Sequence, residues 1–400
     1  MMEISLFGVG AAGNKAAINV LEKGILDNDH VFILNTTLKD IPEKYKNNSN
    51  VTKFSTLLGG CGKEPAKGRK AMFDAIKDNT VDISTMITES TKAAVIVTSI
   101  EGGTGSGSTP ILVKFFEAMD MPVHVFAFVG FQDELRGINN SLKFFRDLGD
   151  NVILHTIQND RFLDYTKSYS KAEEGANEEF ARQLKILIGA GMLPSSQNID
   201  DTDHYKILTT PGYMDIKHIS LSKLKSQEMV DQAIIDAFDN PSCLDYNSGC
   251  KQLAVIVNAS QKTQDAIDNS FSVIKRYTGE PFETYRHVQS NPYEPEEYMD
   301  VIVTGLAFPE SSMVEMNTRY NQKKAQLNQG VKGLSDIFSG MDLDDDDSFD
   351  QDVHQVDTKG AKQKFAEFFG EDEFKPKSGK VVTSTKVTKT TFRGSSDDAY

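Results

Sequence analysis

The stretch that decides the fold reads AAVIVTSIEGGTGSGSTP and covers residues 93–110. Its first seven residues form an apolar run that is typical of a buried strand. Four glycines then fall within six positions, from Gly102 to Gly107, among hydroxyl side chains. Glycine clusters at a strand end let backbone N–H groups converge on an anion. The stretch therefore predicts an anion-binding turn after a buried strand.

Two further glycine clusters have the same character. GVGAAGNK covers residues 8–15 and LGGCGKEPAKG covers residues 58–68, and each lies near a predicted strand end or in a loop that follows one. A single cluster also fits an ordinary turn or tight helix–strand packing. Three clusters on the same edge of one sheet indicate a polyphosphate that is held from several sides.

The first 160 residues alternate short apolar runs with longer amphipathic stretches. The runs 3–9, 30–35, 93–99, 122–129 and 151–157 read as buried strands with helical stretches between them. This βαβ pattern predicts an α/β fold with a parallel sheet, in which ligands bind at the carboxyl ends of the strands.

The sequence also predicts how the chain is divided into domains, a core helix and a tail. We expect a first α/β domain with a parallel sheet over 1–170, a long core helix over 171–194 and a second, smaller α/β domain over 195–310. The strand candidates of the second domain are 216–222, 252–258 and 299–308. A C-terminal helix over 311–330 and a tail over 331–400 complete the chain. Within the long-helix segment, residues 171–191 form the helical pattern, which ends in the stop signal GAGMLPSS. The tail carries seven aspartates between Asp342 and Asp352 and then six basic residues without an acid over 374–393, a composition that predicts disorder.

Composition limits the class of protein. The net charge of −15 argues against general nucleic-acid binding by the whole surface. Three cysteines without metal-ligand spacing fit reduced thiols in a cytoplasm. No run approaches the roughly 18 apolar residues of a membrane span. We expect a soluble, intracellular protein that has no membrane partner.

The motifs argue against two classes of nucleotide-binding protein. GVGAAG matches the dinucleotide pattern G-x-G-x-x-G, but strand two ends in ILNTT, so Asn35 and Thr36 stand where a Rossmann enzyme needs an acid for the ribose. A Rossmann oxidoreductase would also leave two glycine clusters unexplained. No segment matches G-x-x-x-x-G-K-[ST], so a P-loop nucleotidase is unsupported.

GGTGSGS resembles the signature loop of the tubulin and FtsZ superfamily, and the order of the other motifs agrees over about residues 1–325. GVGAAGN, ILNTT, IQNDRFLD and GANEEF are similar to FtsZ segments, while GGCGKE resembles the third loop of the plasmid and phage branch called TubZ. The resemblance implies a GTP/GDP site with Mg²⁺ bridging the phosphates and no metal ligand from the protein. The implied nucleotide-binding residues are Gly10, Ala11, Ala12, Asn14, Asn35, Gly60, Cys61, Gly62, Lys63, Gly102, Gly103, Thr104, Gly105, Ser106, Gly107, Glu134, Asn159 and Asn177.

The segment NIDDTDHYK resembles the family's N-x-D-x-x-D loop, which implies catalytic roles for Asn198, Asp200 and Asp203. In the family this loop meets the nucleotide of the next subunit. Carboxylates accept hydrogen bonds from a water and orient it in line with the γ-phosphate. The alternative is a polar loop that caps a helix, with Asp203 as the N-cap.

Some positions depart from the family pattern. Glu173 stands where FtsZ and tubulins place an aromatic ring on the base, which leaves Tyr165, Tyr169 and Phe180 as candidates for stacking. Lys63 also fits an ordinary exposed lysine, and Glu134 a solvated helix start.

The resemblance predicts a GTPase that is activated by polymerisation and assembles head to tail into dynamic filaments. A TubZ-like protein would segregate plasmid or phage DNA in the cytoplasm of a bacterial host. Its basic tail would engage a DNA-binding adaptor of the TubR type on a centromere-like DNA. The alternatives are an FtsZ-like division or scaffold filament with little turnover and, for the tail, a solubilising or self-associating segment.

Overall fold

A single mixed sheet runs through the described part of the chain. The computed structural model describes residues 2–55, 59–131, 133–195, 198–224, 226–240, 243, 249–294 and 296–330. The strands are β1 (Ile4–Val9), β2 (Val31–Asn35), β3 (Val51–Lys53), β4 (Ala93–Ser99), β5 (Val123–Val129), β6 (Ile153–Gln158), β7 (Gly212–Ser220), β8 (Gln252–Asn258), β9 (Glu283–Gln289) and β10 (Tyr298–Leu306). Their order across the sheet is β3-β2-β1-β4-β5-β6-β7-β10-β8-β9.

The sheet changes character along this order. All pairs from β3 to β6 are parallel, as the βαβ pattern predicts. β6 and β7 pair over only two positions, Ile153 with Gly212 and Leu154 with Tyr213. β10 then runs antiparallel to both β7 and β8, and β8 is parallel to β9.

Helices cover both faces of the sheet. The α-helices of the described chain are α1 (Gly10–Glu22), α2 (Pro65–Lys77), α3 (Thr104–Glu117), α4 (Leu135–Leu148), α5 (Asn159–Thr166), α6 (Tyr169–Leu187), α7 (Asp201–Thr209), α8 (Gln227–Asp239), α9 (Gln261–Thr278) and α10 (Glu310–Gly330). Alternate residues of β1 enter two separate cores. Ile4 and Leu6 pack with residues of α1, α6 and α7, whereas Phe7 and Val9 pack with residues of α2, α3, α4, α8 and α9. This three-layer arrangement explains why the central strands are almost continuously apolar.

Several elements differ from the expected ones. Helix α3 begins at Thr104, inside the glycine-rich stretch, where we expected a turn. Helix α6 ends at Leu187, four residues before the end of the helical pattern, because Gly189 adopts a left-handed φ of +67°. Strands β3 and β9 were not predicted. Residues 331–400, for which the sequence predicts disorder, lie outside the described residues.

The long helix α6 carries the chain from one end of the sheet to the other. It follows β6 and α5 at the carboxyl end of the parallel strands. Just past its last residue, the carbonyl of Ile188 accepts a hydrogen bond from the N–H of Met2, before the start of β1, at 2.9 Å. The Leu208 carbonyl in α7 lies 2.8 Å from Nε2 of His124, near the start of β5. Helix α7 therefore lies at the amino ends of the strands.

Candidate functional site

The three glycine clusters meet in one cavity of about 340 Å³ at the carboxyl ends of β1, β2 and β4. The residues that line it come from all three clusters and from the end of β2. They are Val9, Gly10, Ala11, Ala12, Asn35, Thr36, Thr37, Asp40, Gly59, Gly60, Cys61, Gly62, Lys63, Ser99, Gly102, Gly103, Thr104 and Gly105. Twelve of the eighteen residues predicted to bind nucleotide are in this lining.

Two helices begin at this cavity. Helix α1 starts at Gly10 and helix α3 at Thr104, and both residues are part of the lining. Gly10 has a φ of +75°, which permits the sharp turn from β1 into α1. The first N–H groups of a helix lack partners within the helix and carry the positive end of its dipole. Two such helix starts around one cavity favour a ligand with several negative charges.

Side chains tie the second and third clusters to each other and the third cluster to the end of β2. The hydroxyl oxygens of Thr36 and Thr104 are 2.8 Å apart, which joins the end of β2 to the start of α3. Asn140 in α4 donates to the carbonyls of Lys63 at 3.0 Å and Glu101 at 2.9 Å, and so bridges the second and third clusters. The sequence motifs drew attention to Thr36 only as the residue that replaces a Rossmann acid. The motifs missed Asn140. The sequence marks this residue only as a polar side chain on a helix face that is otherwise mostly apolar and buried.

Three of the four glycines of the signature stretch have no space for a Cβ, because other parts of the protein lie against them. A Cβ on Gly103 would lie 2.6 Å from the backbone nitrogen of Glu64. A Cβ on Gly105 would overlap the hydroxyl of Thr98, and one on Gly107 would overlap the carbonyl of Pro65. Only Gly102, of the four, has no heavy atom within 4 Å of its ideal Cβ in the described structure. Close packing of β4, α2 and α3 therefore demands three of these glycines.

The six remaining predicted residues are not part of this lining. Ser106 and Gly107 lie in the first turn of α3. Glu134 forms an exposed ion pair with Lys63, and the hydrogen bond and charge of that lysine lower the pKa of the Glu134 carboxyl. The Lys63 ammonium, which the sequence assigns to phosphate, is thus neutralised by a second residue of the predicted set.

Three predicted asparagines carry buried amide atoms that have no hydrogen-bond partner within the described residues. Both amide atoms of Asn14 are in this state, as are Nδ2 of Asn35 and Oδ1 of Asn159. A buried polar atom without a partner costs roughly 1–3 kcal/mol. Asn35 forms part of the cavity wall, so a polar ligand there would offer its amide a partner.

The face of α6 towards α1 holds Asn177, whose backbone carbonyl accepts a hydrogen bond from Nδ2 of Asn19 at 3.3 Å. Two ion pairs flank it: Glu173 with Lys15 at 3.2 Å and Glu178 with Lys23 at 2.7 Å. Glu173, which stands where the family has an aromatic ring, therefore joins α6 to α1 through its ion pair with Lys15.

Of the three aromatic candidates for stacking on a base, Phe180 is fully buried against Phe126 and Phe128 and is excluded. Tyr165 and Tyr169 are exposed, and Tyr169 packs edge-on against Phe131.

The three predicted catalytic residues lie together at the start of α7. Asp200 is the N-cap of this helix, because its Oδ1 accepts a hydrogen bond from the backbone N–H of Asp203 at 2.8 Å. The expectation that Asp203 would be the N-cap is wrong, since Asp203 lies within the first turn. Asn198 and Asp200 are exposed and Asp203 is half-buried. His204 beside them is buried, with Nε2 2.7 Å from the carbonyl of Leu187.

The carboxylates and the glycine clusters occupy opposite ends of the sheet. The six residues of β1 span about 20 Å between its ends. Gly10 follows the carboxyl end, whereas α7 lies at the amino end. One copy of the chain therefore does not bring Asp200 to its own glycine cavity.

Comparison with known proteins supports the family resemblance seen in the motifs. The model of the tubulin/FtsZ family GTPase domain matches residues 3–167, the segment that contains all three glycine clusters. Residues 3–167 therefore resemble the GTPase domain of the tubulin/FtsZ family. The cell division protein FtsZ of Mycoplasmopsis pulmonis (strain UAB CTIP) is 24% identical over 357 residues, which cover 85% of this chain and 84% of that protein. The superfamily resemblance seen in the motifs is thereby confirmed.

Solved structures of this superfamily share the fold. Clostridium botulinum phage c-st TubZ aligns with a TM-score of 0.64 at 19% identity, over 81% of this chain and 98% of that one. A GTPγS-bound protofilament of CetZ2 from Haloferax volcanii aligns with a TM-score of 0.65 at 20% identity, over 81% of this chain and 100% of that one. A GTPγS-form protofilament of TubZ from Bacillus thuringiensis serovar israelensis aligns with a TM-score of 0.64 at 16% identity. The alignment covers 82% of this chain and 93% of that one. The chain has the tubulin-like fold, with the predicted parallel sheet and core helix.

No helix in the described ranges is both long enough and apolar enough to span a membrane. Nor do the described residues contain a group of three or more His, Cys, Asp or Glu side chains that could hold a metal ion.

Proposed function

We propose that this protein hydrolyses GTP at a site that two copies of the chain build together, so that turnover follows head-to-tail polymerisation. The observation that carries this proposal is the position of the two halves of the site. The glycine cavity with its two helix starts lies at one end of the sheet, and the carboxylates of Asp200 and Asp203 lie at the other.

Stacking of two copies in the same orientation would bring these halves together. The glycine cavity of one copy would hold the phosphates, and the α7 start of the next would orient the attacking water. Phosphoryl transfer depends mainly on positioning and electrostatic stabilisation, so carboxylates that arrive with the neighbour would switch hydrolysis on. The protofilaments of CetZ2 and TubZ, which share this fold, support this stacking.

The oxygen donors of the cavity are too few to hold Mg²⁺ by themselves, so the ion would bind there together with the nucleotide. Asp40 is the single carboxylate in the lining, beside the hydroxyls of Thr36, Thr37 and Thr104. Mg²⁺ commonly takes most of its ligands from phosphates and water. The ion would neutralise phosphate charge, and the chain's own residues would bind and orient the nucleotide.

Phosphate release measured against protein concentration tests the proposal. A site shared between copies predicts a concentration threshold, below which GTP is bound but not hydrolysed. A specific activity that is constant at all concentrations would contradict it, and absence of turnover above the threshold for filaments would favour a nucleotide-regulated scaffold.

We further propose a role in the segregation of plasmid or phage DNA, as in the TubZ branch. The support is the GGCGKE motif and the six basic residues over 374–393, which suit a DNA-bound adaptor of the TubR type. Deletion of residues 375–400 should leave GTP turnover near normal and abolish capture of the adaptor–DNA complex. A truncated chain that still captures that complex would refute this role.

A further inference from the structure

A second concave surface lies beside the glycine cavity, between helices α2, α3 and α4. We call it the basic groove; its volume is about 680 Å³. Its cationic side chains are Lys63, Arg69, Lys70, Arg136, Lys143 and Arg146. Only two acidic side chains, Glu64 and Asp147, share the lining. In a chain with a net charge of −15, such a local excess of positive charge indicates an anionic ligand.

The cations form two rows with an apolar strip between them. Arg136, Lys143 and Arg146 are seven and three residues apart on α4, so they share one side of that helix. Arg69 and Lys70 face them from α2. The lining between the rows includes Ile111 and Phe144, and Phe73 in α2 is 57% exposed. The groove therefore suits a ligand that carries both negative charges and an apolar side chain.

The groove already accommodates one carboxylate. Partial burial alone would raise the pKa of Asp147, yet its hydrogen bonds with Arg146 and Arg69 lower that pKa. Nε of Arg146 is 2.8 Å from Oδ1 of Asp147, and Arg69 pairs with Oδ2. Lys63 pairs with Glu134 and Lys70 with Asp74, which leaves Arg136 and Lys143 as exposed cations that form no ion pair with any described residue. One guanidinium nitrogen of Arg136 donates a long hydrogen bond to the Gly62 carbonyl at 3.5 Å. Arg136 and Lys143 are available to a ligand.

We propose that the basic groove is a docking site for an acidic peptide segment with an aromatic or aliphatic side chain, supplied by a partner protein. Carboxylates of the peptide would pair with Arg136 and Lys143, and its apolar side chain would cover Phe73. A groove with one row of cations on α2 and the other on α4, above α3, fits an extended peptide. Double-helical DNA needs phosphate contacts over a wider surface, and the net negative charge of the chain would repel it.

The groove and the glycine cavity share a wall. Lys63 lines both, and Asn140 bonds to the Lys63 carbonyl. A test of the groove should therefore avoid this wall. Lys143 and Phe73 serve that purpose, because neither lines the glycine cavity. Lys77, an exposed lysine on α2 outside the groove, provides a matched control.

Fluorescence anisotropy of the full chain with GDP and a labelled peptide DDLDDFDD tests the proposal at low salt. Lys143→Glu should weaken binding by about fivefold or more, because it replaces an attraction by a repulsion. Lys77→Glu should leave the affinity unchanged, and added salt should weaken binding to the wild-type chain. Phe73→Ala should weaken binding of DDLDDFDD but not of DDGDDGDD, which has equal charge and no apolar side chain.

Thermal unfolding of each variant should match the wild type, which separates loss of the groove from misfolding. The proposal would be overturned by undetectable peptide binding at low salt. Equal binding of NNLNNFNN, or an equal loss of affinity in Lys77→Glu, would also overturn it. A single-stranded oligonucleotide that displaced the peptide and bound more tightly, with the same dependence on Lys143, would instead assign the groove to nucleic acid.

Discussion

Oδ1 of Asp200 accepts a hydrogen bond from the backbone N–H of Asp203 at 2.8 Å, so this carboxylate caps helix α7 at the end of the sheet remote from the glycine cavity. Capping and water positioning are compatible, since a carboxylate has two oxygens and capping engages one. The two roles can nevertheless be separated by substitution, because an asparagine caps a helix as well as an aspartate does.

Asp200→Asn should keep the stability of the wild type and its GTP binding, while turnover falls by about 10² or more, as for loss of a positioned catalytic group. Asp200→Ala should lose turnover equally and also lose about 1 kcal/mol of stability with the cap. Phosphate release and chemical denaturation measure the two effects. Wild-type turnover in Asp200→Asn would show that the residue only caps the helix.

The packing around the signature glycines predicts opposite effects at two neighbouring positions. Gly105→Ala places a methyl group against the Thr98 hydroxyl and should destabilise the fold by about 1–3 kcal/mol. Gly102→Ala has open space and should change stability by less than about 0.5 kcal/mol. Urea denaturation compares them. Equal destabilisation would mean that the three clusters pack differently from the arrangement described here.

Nucleotide preference should depend on Asn177, whose amide can both donate to and accept from the edge of guanine. We expect GTP to bind at least about tenfold more tightly than ATP, because a buried amide left without a partner costs roughly 1–3 kcal/mol. Asn177→Ala should remove most of this preference, while Asn151→Ala, an exposed site outside the cavity lining, should keep it. Competition against a fluorescent GTP analogue is the measurement, and equal affinities in the wild type would refute the assignment.

Asp160, the residue after Asn159, should make stability depend on pH. Its burial, and then the charge of Asp133, raise its pKa to about 6, with Asp164 acting in the same direction and Arg319 against it. The unfolded chain has the ordinary pKa near 3.9, so the folded state binds more protons between about pH 4 and 6. The contribution of Asp160 is therefore fully present below pH 4 and is lost as the pH rises through 6.

Asp160→Asn stays neutral and should exceed the wild type in stability by about 1 kcal/mol at pH 7.5, after allowance for solvent screening. The difference should vanish near pH 4. Denaturation of both proteins at the two pH values measures it, with Asp29→Asn, an exposed site, as the control. A gap that is equal at both pH values would contradict the shifted pKa.

The central strands were predictable because burial on both faces leaves a direct signature. The run Ala93–Ser99 is strand β4 and Gln252–Asn258 is strand β8 with the predicted bounds. Strand β9 escaped prediction because its residues, ETYRHVQ, are mostly polar and it lies at the edge of the sheet with one partner. A half-buried edge strand has no continuous apolar run.

The site was predictable in its parts but not in its packing. The motifs gave the three glycine clusters and their common edge, because parallel strands end together. They did not give the reason for Gly103, Gly105 and Gly107, since the atoms that exclude a Cβ there lie elsewhere in the chain, in Glu64, Thr98 and Pro65. Nor did they reveal that Glu173 pairs with Lys15, a contact across 158 positions.

Complementation between two inactive variants tests the shared site most directly. Gly102→Asp should place a negative charge in the glycine cavity without disturbing its packing, and so prevent GTP binding while Asp200 remains intact. Asp200→Asn keeps the cavity and loses the carboxylate. Each variant alone should release phosphate at about 1% of the wild-type rate or less. A mixture of the two should recover substantial hydrolysis, because the cavity of one subunit meets Asp200 of the other. A mixture that stays as inactive as its components, although Asp200→Asn binds GTP and both variants are folded, would contradict a site built from two copies.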